Sequence, residues 1–482
     1  MNCHAMFLGV TIMRLIFVHG WSVTNTDTYG QLPEALQAAS ADYDLSLDLH
    51  HIYLGKYVSF HDEVTLDDIA RGLHQALHDL PDNADQIQPF SCITHSTGGP
   101  VVRYWLNRFY GPEKLSATPL CHLVMLAPAN HGSSLAILGK QRVGRIDAWF
   151  KGVEPGQRVL DWLCLGSERQ RRLNESGLHY DYAAHNIYPF VLTGQGIDRK
   201  FYDFINNYLT EPGSDGVVRV AGANMNYRFF SVCQSDEVLR KSPYTTRLAY
   251  DKKHPVRTSP AVPLGVYNQY SHSGKDMGIM RSIKQDKGAA QPVVADILKC
   301  LQIESADGYQ QRAEELNALT ETMQTEACQQ RDCDRYAMLV FRIKDDQGNT
   351  FSKDDYDILL LGGKSYQPNI MPKSFLRDRQ MNGKTSNLVF YIDVDQFHQI
   401  KDSQFGIRVI ARPQKGFSYY QWAEFRSDGV SLTDIVAPNQ TTYVDITLKR
   451  CVDKNVFRFA RGDEKRGSFK GVKADGGEIK DL

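Results

Sequence analysis

The chain of 482 residues carries almost no net charge: 55 lysines and arginines stand against 56 aspartates and glutamates, a formal net charge of −1. A surface without a basic excess cannot neutralise a run of phosphates, which argues against a nucleic-acid partner. No stretch approaches the roughly 20 consecutive apolar residues of a membrane-spanning helix. The apolar N-terminal stretch from Met1 to Val18 lacks a basic leading region and a small-residue cleavage site, and Arg14 interrupts it. It therefore reads as a buried strand over Arg14 to Val18 and not as a secretory signal, so synthesis in the cytoplasm is expected. Nine cysteines, an odd count without repeating spacing, give no disulfide framework. Cys328 and Cys333 are close together but have no second pair with which to complete a zinc site. What remains, at 42% hydrophobic and 23% charged residues, is the composition of a soluble globular protein. The length implies roughly two to four domains.

The chain is organised around residues 90–106, where the apolar run ending at Thr94 meets the polar break His95-Ser-Thr-Gly-Gly99 and then turns helical. Val101, Trp105 and Phe109 recur every four residues on one helix face. Pro100 falls in the first helical turn, where its missing N–H costs little. Ser96 thus stands on a strand-to-helix corner that would expose its Oγ and set the next N–H beside it, the geometry of a nucleophile elbow. The usual G-x-S-x-G pattern is incomplete, because Thr94 occupies the first glycine position.

Strands alternate with helices across the first 130 residues: the N-terminal strand, a helix near Gln31 to Ala39, a strand over Asp48 to Leu54, a helix from Thr65 to Leu80, the Ser96 unit and a strand over His122 to Leu126. Such alternation predicts a mostly parallel, doubly wound α/β sheet. Functional residues in these sheets collect at the carboxyl ends of the strands, where His19, Ser96 and Asn130 lie. Gly20 allows a sharp turn off the first strand, which makes the Trp21 loop a candidate oxyanion donor beside the N–H of Thr97. Residues 137–188 break the alternation with an aromatic insertion, either a lid or a fixed cap, suited to an apolar substrate. His19 and His95 at the strand ends and Trp149 and Trp162 in the insertion are candidate substrate-binding residues.

A serine nucleophile needs a histidine base and a carboxylate to orient it. Asp215, in the glycine-rich Gly213-Ser-Asp-Gly216, is the leading acid, with Asp198 second and Asp236 third. His272 is the leading base, with His131 and His254 as alternatives. The order Ser96, Asp215, His272 is that of the α/β-hydrolase arrangement.

Five segments, Ile16-Phe-Val-His-Gly-Trp21, Thr94-His-Ser-Thr-Gly-Gly99, Leu126-Ala-Pro-Ala-Asn-His-Gly-Ser-Ser134, Gly213-Ser-Asp-Gly-Val-Val218 and Ser271-His-Ser-Gly274, together resemble the α/β-hydrolase lipases of the bacterial triacylglycerol-lipase type. The resemblance covers residues 13 to about 285. It implies Ser96 as nucleophile, His272 as general base, Asp215 as its orienting acid, and the N–H groups of Thr97 and Trp21 as oxyanion hole. A lipase without a signal and with an added C-terminal domain is also loosely similar to the lipase effectors of type VI secretion systems. That likeness implies a signal-independent route to the membranes of a target cell, a cognate inhibitor protein and a secretion-machinery partner.

The hydrolase domain is expected over residues 1–300 and a helical connector over 301–335. Short alternating runs over 336–460 predict an antiparallel β-sandwich, and 461–482 a polar disordered tail. Asp354, Asp355 and Asp357, with Asp393 and Asp395, could hold calcium, although solvated acidic turns are the favoured reading. The expected activity is hydrolysis of a lipid ester through an acyl-enzyme, with no required cofactor and a membrane phospholipid as the favoured substrate. An acyltransferase with the same triad and a non-catalytic hydrolase-fold binding protein are the alternatives.

Overall fold

The computed structural model describes residues 4–7, 10–19, 28–59, 61–136, 156–197, 211–253, 255–329, 335–400, 402, 404–413 and 417–452. Trp21, Trp149, Asp198, His254 and the predicted strand and tail beyond Val452 lie outside these residues.

The first half builds a seven-stranded sheet in the order β1-β2-β4-β5-β6-β10, with β3 also paired to β2. Its strands are β1 (His4–Phe7), β2 (Val10–His19), β3 (Ser46–Tyr53), β4 (Phe90–His95), β5 (Leu120–Leu126), β6 (Tyr188–Gly194) and β10 (Leu264–Tyr267). All pairs are parallel except β1 with β2. Both faces are covered, as a parallel sheet requires. Ile16 and Val18 of β2 point into one apolar cluster with the helices α2 (Leu66–His78) and α3 (Gly98–Phe109), while Leu15 and Phe17 point into another with α1 (Leu32–Ala39). Helix α2 starts where its sequence says it should. Thr65 and Asp68 form a reciprocal capping box, with Thr65 N–H donating to Asp68 at 2.9 Å and Asp68 N–H to Thr65 Oγ1 at 3.4 Å.

The insertion is described from residue 156 onward, where helices α4 (Gln157–Leu163) and α5 (Glu168–Gly177) form a cap packed against the core. Trp162 and Leu163 are buried in the core under α4. The Leu165 carbonyl accepts from Asn382 Nδ2 at 2.8 Å, and the Gly166 carbonyl from Asn387 Nδ2 at 2.8 Å, both in the second half of the chain.

The second unit is β-rich and follows the α/β sheet, as expected, but its pairing is mixed and its strands come from two parts of the chain. Eleven strands, among them β12 (Tyr356–Gly362), β13 (Gln367–Pro368), β14 (Leu376–Met381), β15 (Leu388–Asp393) and β16 (Phe405–Ala411), run in the order β13-β12-β16-β18-β8-β7-β19-β11-β15-β14, with β9 on β7. Among them, β7 (Tyr227–Lys241), β8 (Tyr244–Tyr250) and β9 (Val256–Thr258) precede residue 300. Thus β7 pairs in parallel with β19 (Thr441–Leu448), β8 in parallel with β18 (Trp422–Arg426), and β19 in parallel with β11 (Tyr336–Asp345). The expected boundary near residue 300 therefore does not separate the two sheets. Alternating burial shows that a strand has two faces, but not which sheet it joins.

Both faces of this sheet are apolar for different reasons. Leu339, Phe341 and Ile343 of β11 face the inside of the curled sheet, whereas Tyr336, Met338 and Val340 face Leu165 and Ala221 of the first unit.

The stretch expected to be a connector is part of the first core. Helix α6 (Ala306–Gln329) lies along β10, the last strand of its sheet. Thr320 Oγ1 donates to the Leu264 carbonyl at 3.0 Å and accepts from the Val266 N–H at 3.1 Å, occupying backbone groups that an open edge would expose. Tyr309 and Leu316 are buried beneath it. Apart from the buried Gln324, the Glu and Gln side chains described on it belong to its outer face.

Cys121 is disulfide-bonded, while Cys92, Cys164, Cys233, Cys300 and Cys451 take part in no disulfide. None of the helices searched, all among the described residues, is long and apolar enough to cross a membrane.

Candidate active site

Ser96 sits between β4 and α3 in the left-handed backbone region, with φ 53°. A residue with a Cβ pays about 1–2 kcal/mol there, so the corner is held by what surrounds it. The Ser96 N–H donates to the Leu126 carbonyl at 3.0 Å, and its carbonyl accepts from Ala129 at 3.3 Å. Gly98 and Gly99 allow the helix to start this close: a Cβ at Gly99 would stand 2.9 Å from Pro128 Cβ and 3.1 Å from Met125 Sδ. Thr94, where the usual motif has glycine, points its side chain toward Gly98, at 3.2 Å from a Cβ built there. The corner accommodates Thr94 because Gly98 leaves the room.

His272 follows β10 on a loop that reaches back over the corner. Its Nε2 lies 3.1 Å from Ser96 Oγ, and its Nδ1 lies 2.9 Å from Asp215 Oδ2. A carboxylate can only accept, so Nδ1 carries the proton and Nε2 is left to accept from the serine hydroxyl. The backbone repeats the pairing, with the His272 N–H donating to the Asp215 carbonyl at 3.0 Å. Asp215 is fully buried, and its other oxygen accepts from the N–H groups of Val217 and Val218 at 2.9 and 2.7 Å. Three donors therefore fix the orientation of that carboxylate.

The structure thus brings together Ser96, Asp215 and His272. Among the alternatives, Asp236 pairs with Lys449 on the second sheet, and His131 is enclosed between the two sheets. Thr97 is the N-cap of α3, so its N–H stands at the positive end of that helix beside Ser96.

The other predicted site residues have different positions. His95 tilts against His272 with ring centroids 4.7 Å apart, and its Nε2–H donates to the His272 carbonyl at 3.1 Å. Burial, and then the neighbouring His272, push its pKa well below the usual histidine value, so it is a neutral brace against the base. His19 is buried at the end of β2, with Nε2 3.0 Å from His51 Nδ1 and its own Nδ1 without a partner among the described residues. Burial, aided by His51, lowers its pKa to about 3. Trp162 is a core residue, not part of an open surface, because its ring fills the space beneath α4. Asn130 ties helix α3 to the segment after Asp215: its Oδ1 accepts from Arg103 at 3.0 Å and its Nδ2 donates to the Ala223 carbonyl at 2.7 Å.

No group of acidic, histidine or cysteine side chains among the described residues could hold a metal ion. Of the acidic turn residues, Asp357 pairs with Arg412, Asp395 with Arg335, and Asp393 accepts from the Asp395 N–H at 3.0 Å.

The residues that hold the acid loop from outside lie far from it in the sequence. Tyr391 and Asp378 come from the second sheet, more than 150 positions from Asp215, with no local signal to link them.

No family model and no curated protein matches the chain. Solved structures do. Phospholipase PlaB from Legionella pneumophila is 39% identical, with a TM-score of 0.82 over 98% of this chain and 99% of that one. The same phospholipase in complex with thio-NAD is likewise 39% identical, with a TM-score of 0.80 over 94% of this chain and 97% of that one.

Proposed function

The chain belongs to the family of the Legionella pneumophila phospholipase PlaB, and from that premise we propose that it is a serine phospholipase working through an acyl-enzyme. The observation that carries the reading is the continuous hydrogen-bonded line from Ser96 through His272 to Asp215, at 3.1 and 2.9 Å. Ser96 Oγ attacks the ester carbonyl while His272 Nε2 takes its proton. His272 then returns that proton to the leaving lysolipid alcohol. A water, deprotonated by the same nitrogen, releases the fatty acid. Asp215 holds the imidazole in the tautomer this requires and stabilises the imidazolium. The Thr97 N–H, at the start of α3, is one donor for the oxyanion, and the Trp21 loop is the proposed second.

The reading includes no secretion route and no inhibitor partner. The likeness to type VI effectors rests on the absence of a signal and the added C-terminal domain, and the chain aligns over 98% of its length, that domain included, with phospholipase PlaB.

The test is release of fatty acid and lysolipid from mixed phospholipid and triacylglycerol vesicles, wild type beside Ser96→Ala. Lysophospholipid made only by the wild type is expected. An ester of an added alcohol in place of free fatty acid would mark an acyltransferase. Failure of a fluorophosphonate to label Ser96 in folded protein would sink both enzymatic readings and leave a binding protein.

A further inference from the structure

The loop that carries Asp215 is gripped from the second sheet. Arg219, four residues beyond Asp215, is buried, and its Nε and Nη2 donate to the two carboxylate oxygens of Glu211, each at 2.8 Å. This fork joins the two ends of the segment 211–219 around the acid between them. The same guanidinium pairs with Asp378 on β14 (Leu376–Met381) and lies 4.1 Å over the ring of Tyr391 on β15 (Leu388–Asp393). The Tyr391 hydroxyl stands 3.1 Å from the Pro212 carbonyl and 3.2 Å from that of Gly213, to which it donates. On the side facing the first sheet, Ser133 Oγ donates to the Val217 carbonyl at 2.7 Å. The two N–H groups that fix the Asp215 carboxylate belong to Val217 and Val218, immediately before Arg219. Displacing Arg219 therefore moves the donors that aim the acid.

We propose that the second sheet is part of the catalytic apparatus, with Arg219, Tyr391 and Asp378 as positioning residues that set the Asp215 carboxylate and, through it, the His272 ring. The inference rests on the triad reading. It differs from simple adhesion between the two sheets in a measurable way. Adhesion alone would lower the stability of variants and leave turnover by the folded fraction unchanged. Positioning lowers turnover in protein that is still folded, because a reacting group misplaced by a fraction of an ångström loses much of its advantage.

The experiment uses the full chain with Tyr391→Phe and Asp378→Asn, each of which removes a contact and little volume. Three quantities are read: kcat and KM on a soluble p-nitrophenyl butyrate, the rate of Ser96 labelling by a fluorophosphonate, and the melting temperature. Expected is a fall of about 10-fold in kcat and in labelling rate, with KM unchanged and the fold retained. In an Asp215→Asn background the same substitutions should cost nothing more, since the group they position is already lost. Wild-type kcat and labelling rates in both variants would overturn the inference while leaving the triad intact. An undiminished 10-fold cost in the Asp215→Asn background would overturn it as well. Should one variant fail to fold, the other carries the test, with Arg219→Lys as a third. Failure of wild-type Ser96 to label would instead bring down the triad reading beneath it.

Discussion

His131 and Tyr443 lie 312 positions apart and share a hydrogen bond of 2.8 Å between the two sheets. His131 Nε2–H donates to the Asn224 carbonyl at 2.9 Å, so its Nδ1 must accept, and the Tyr443 hydroxyl donates to it. Tyr443 in turn accepts from Asn174 Nδ2 at 2.8 Å, and Asn174 Oδ1 takes the Arg103 guanidinium at 2.7 Å. Helix α3, the cap and strand β19 thus share one buried polar line.

The first consequence is cooperativity. Strands β7 and β8 lie inside the second sheet, so neither unit can keep its pairing without the other. Urea unfolding followed by tryptophan fluorescence and by far-ultraviolet circular dichroism should give coincident single transitions. A chain ending before Tyr336 should be insoluble or unfolded. Tyr443→Phe should cost about 1–3 kcal/mol by leaving buried polar groups without partners.

Acid should destabilise the fold through its buried histidines. Burial, with Arg103 nearby, lowers the His131 pKa to about 3, and burial beside His51 lowers that of His19 to about 3. Between pH 6.5 and 3 the unfolded chain binds protons that the folded chain refuses, so stability falls as pH drops below 6.5. Each group should account for about 2 kcal/mol lost by pH 5. Denaturant titrations at pH 7 and 5 measure the loss. In His131→Gln the difference between the two pH values should shrink by about that amount, although the starting stability is lower.

The triad predicts unequal losses. Ser96→Ala should abolish release of fatty acid. Asp215→Asn, which keeps shape but allows the wrong tautomer of His272, should lower kcat by about 10⁴-fold with KM little changed. Stopped assays on a soluble ester resolve the two. Equal activity of Asp215→Asn and wild type would remove Asp215 from the mechanism.

Gly194 tests how closely the base loop is packed. A Cβ at this position, the last of β6, would land on the Tyr270 carbonyl oxygen, two residues before His272. Gly194→Ala should therefore push the loop, costing about 1–3 kcal/mol of stability and at least 10-fold in kcat. Urea midpoints and ester kinetics on the same preparation read both. An unchanged kcat would show that the His272 loop is not set by this contact.

Much of the first unit was legible in the chain because its signals are local. The step from strand to helix at Ser96, the capping pair Thr65 and Asp68, and the alternation of strands with helices each need only near neighbours. The order of Ser96, Asp215 and His272 placed three loops at one end of one sheet, since parallel strands put all their carboxyl ends together. Only the tertiary structure decided which strands share a sheet, because Tyr227–Lys241 has the same period whether it joins β6 or β19. The same holds for α6, whose polar outer face hid Tyr309, Leu316 and Thr320, and for Trp162, whose aromatic ring fits a core as well as a substrate. Sequence determined which residues could react. Long-range pairing decided what holds them, because contacts such as those of Tyr391 with the Asp215 loop exist only once strands far apart in the chain have closed around it.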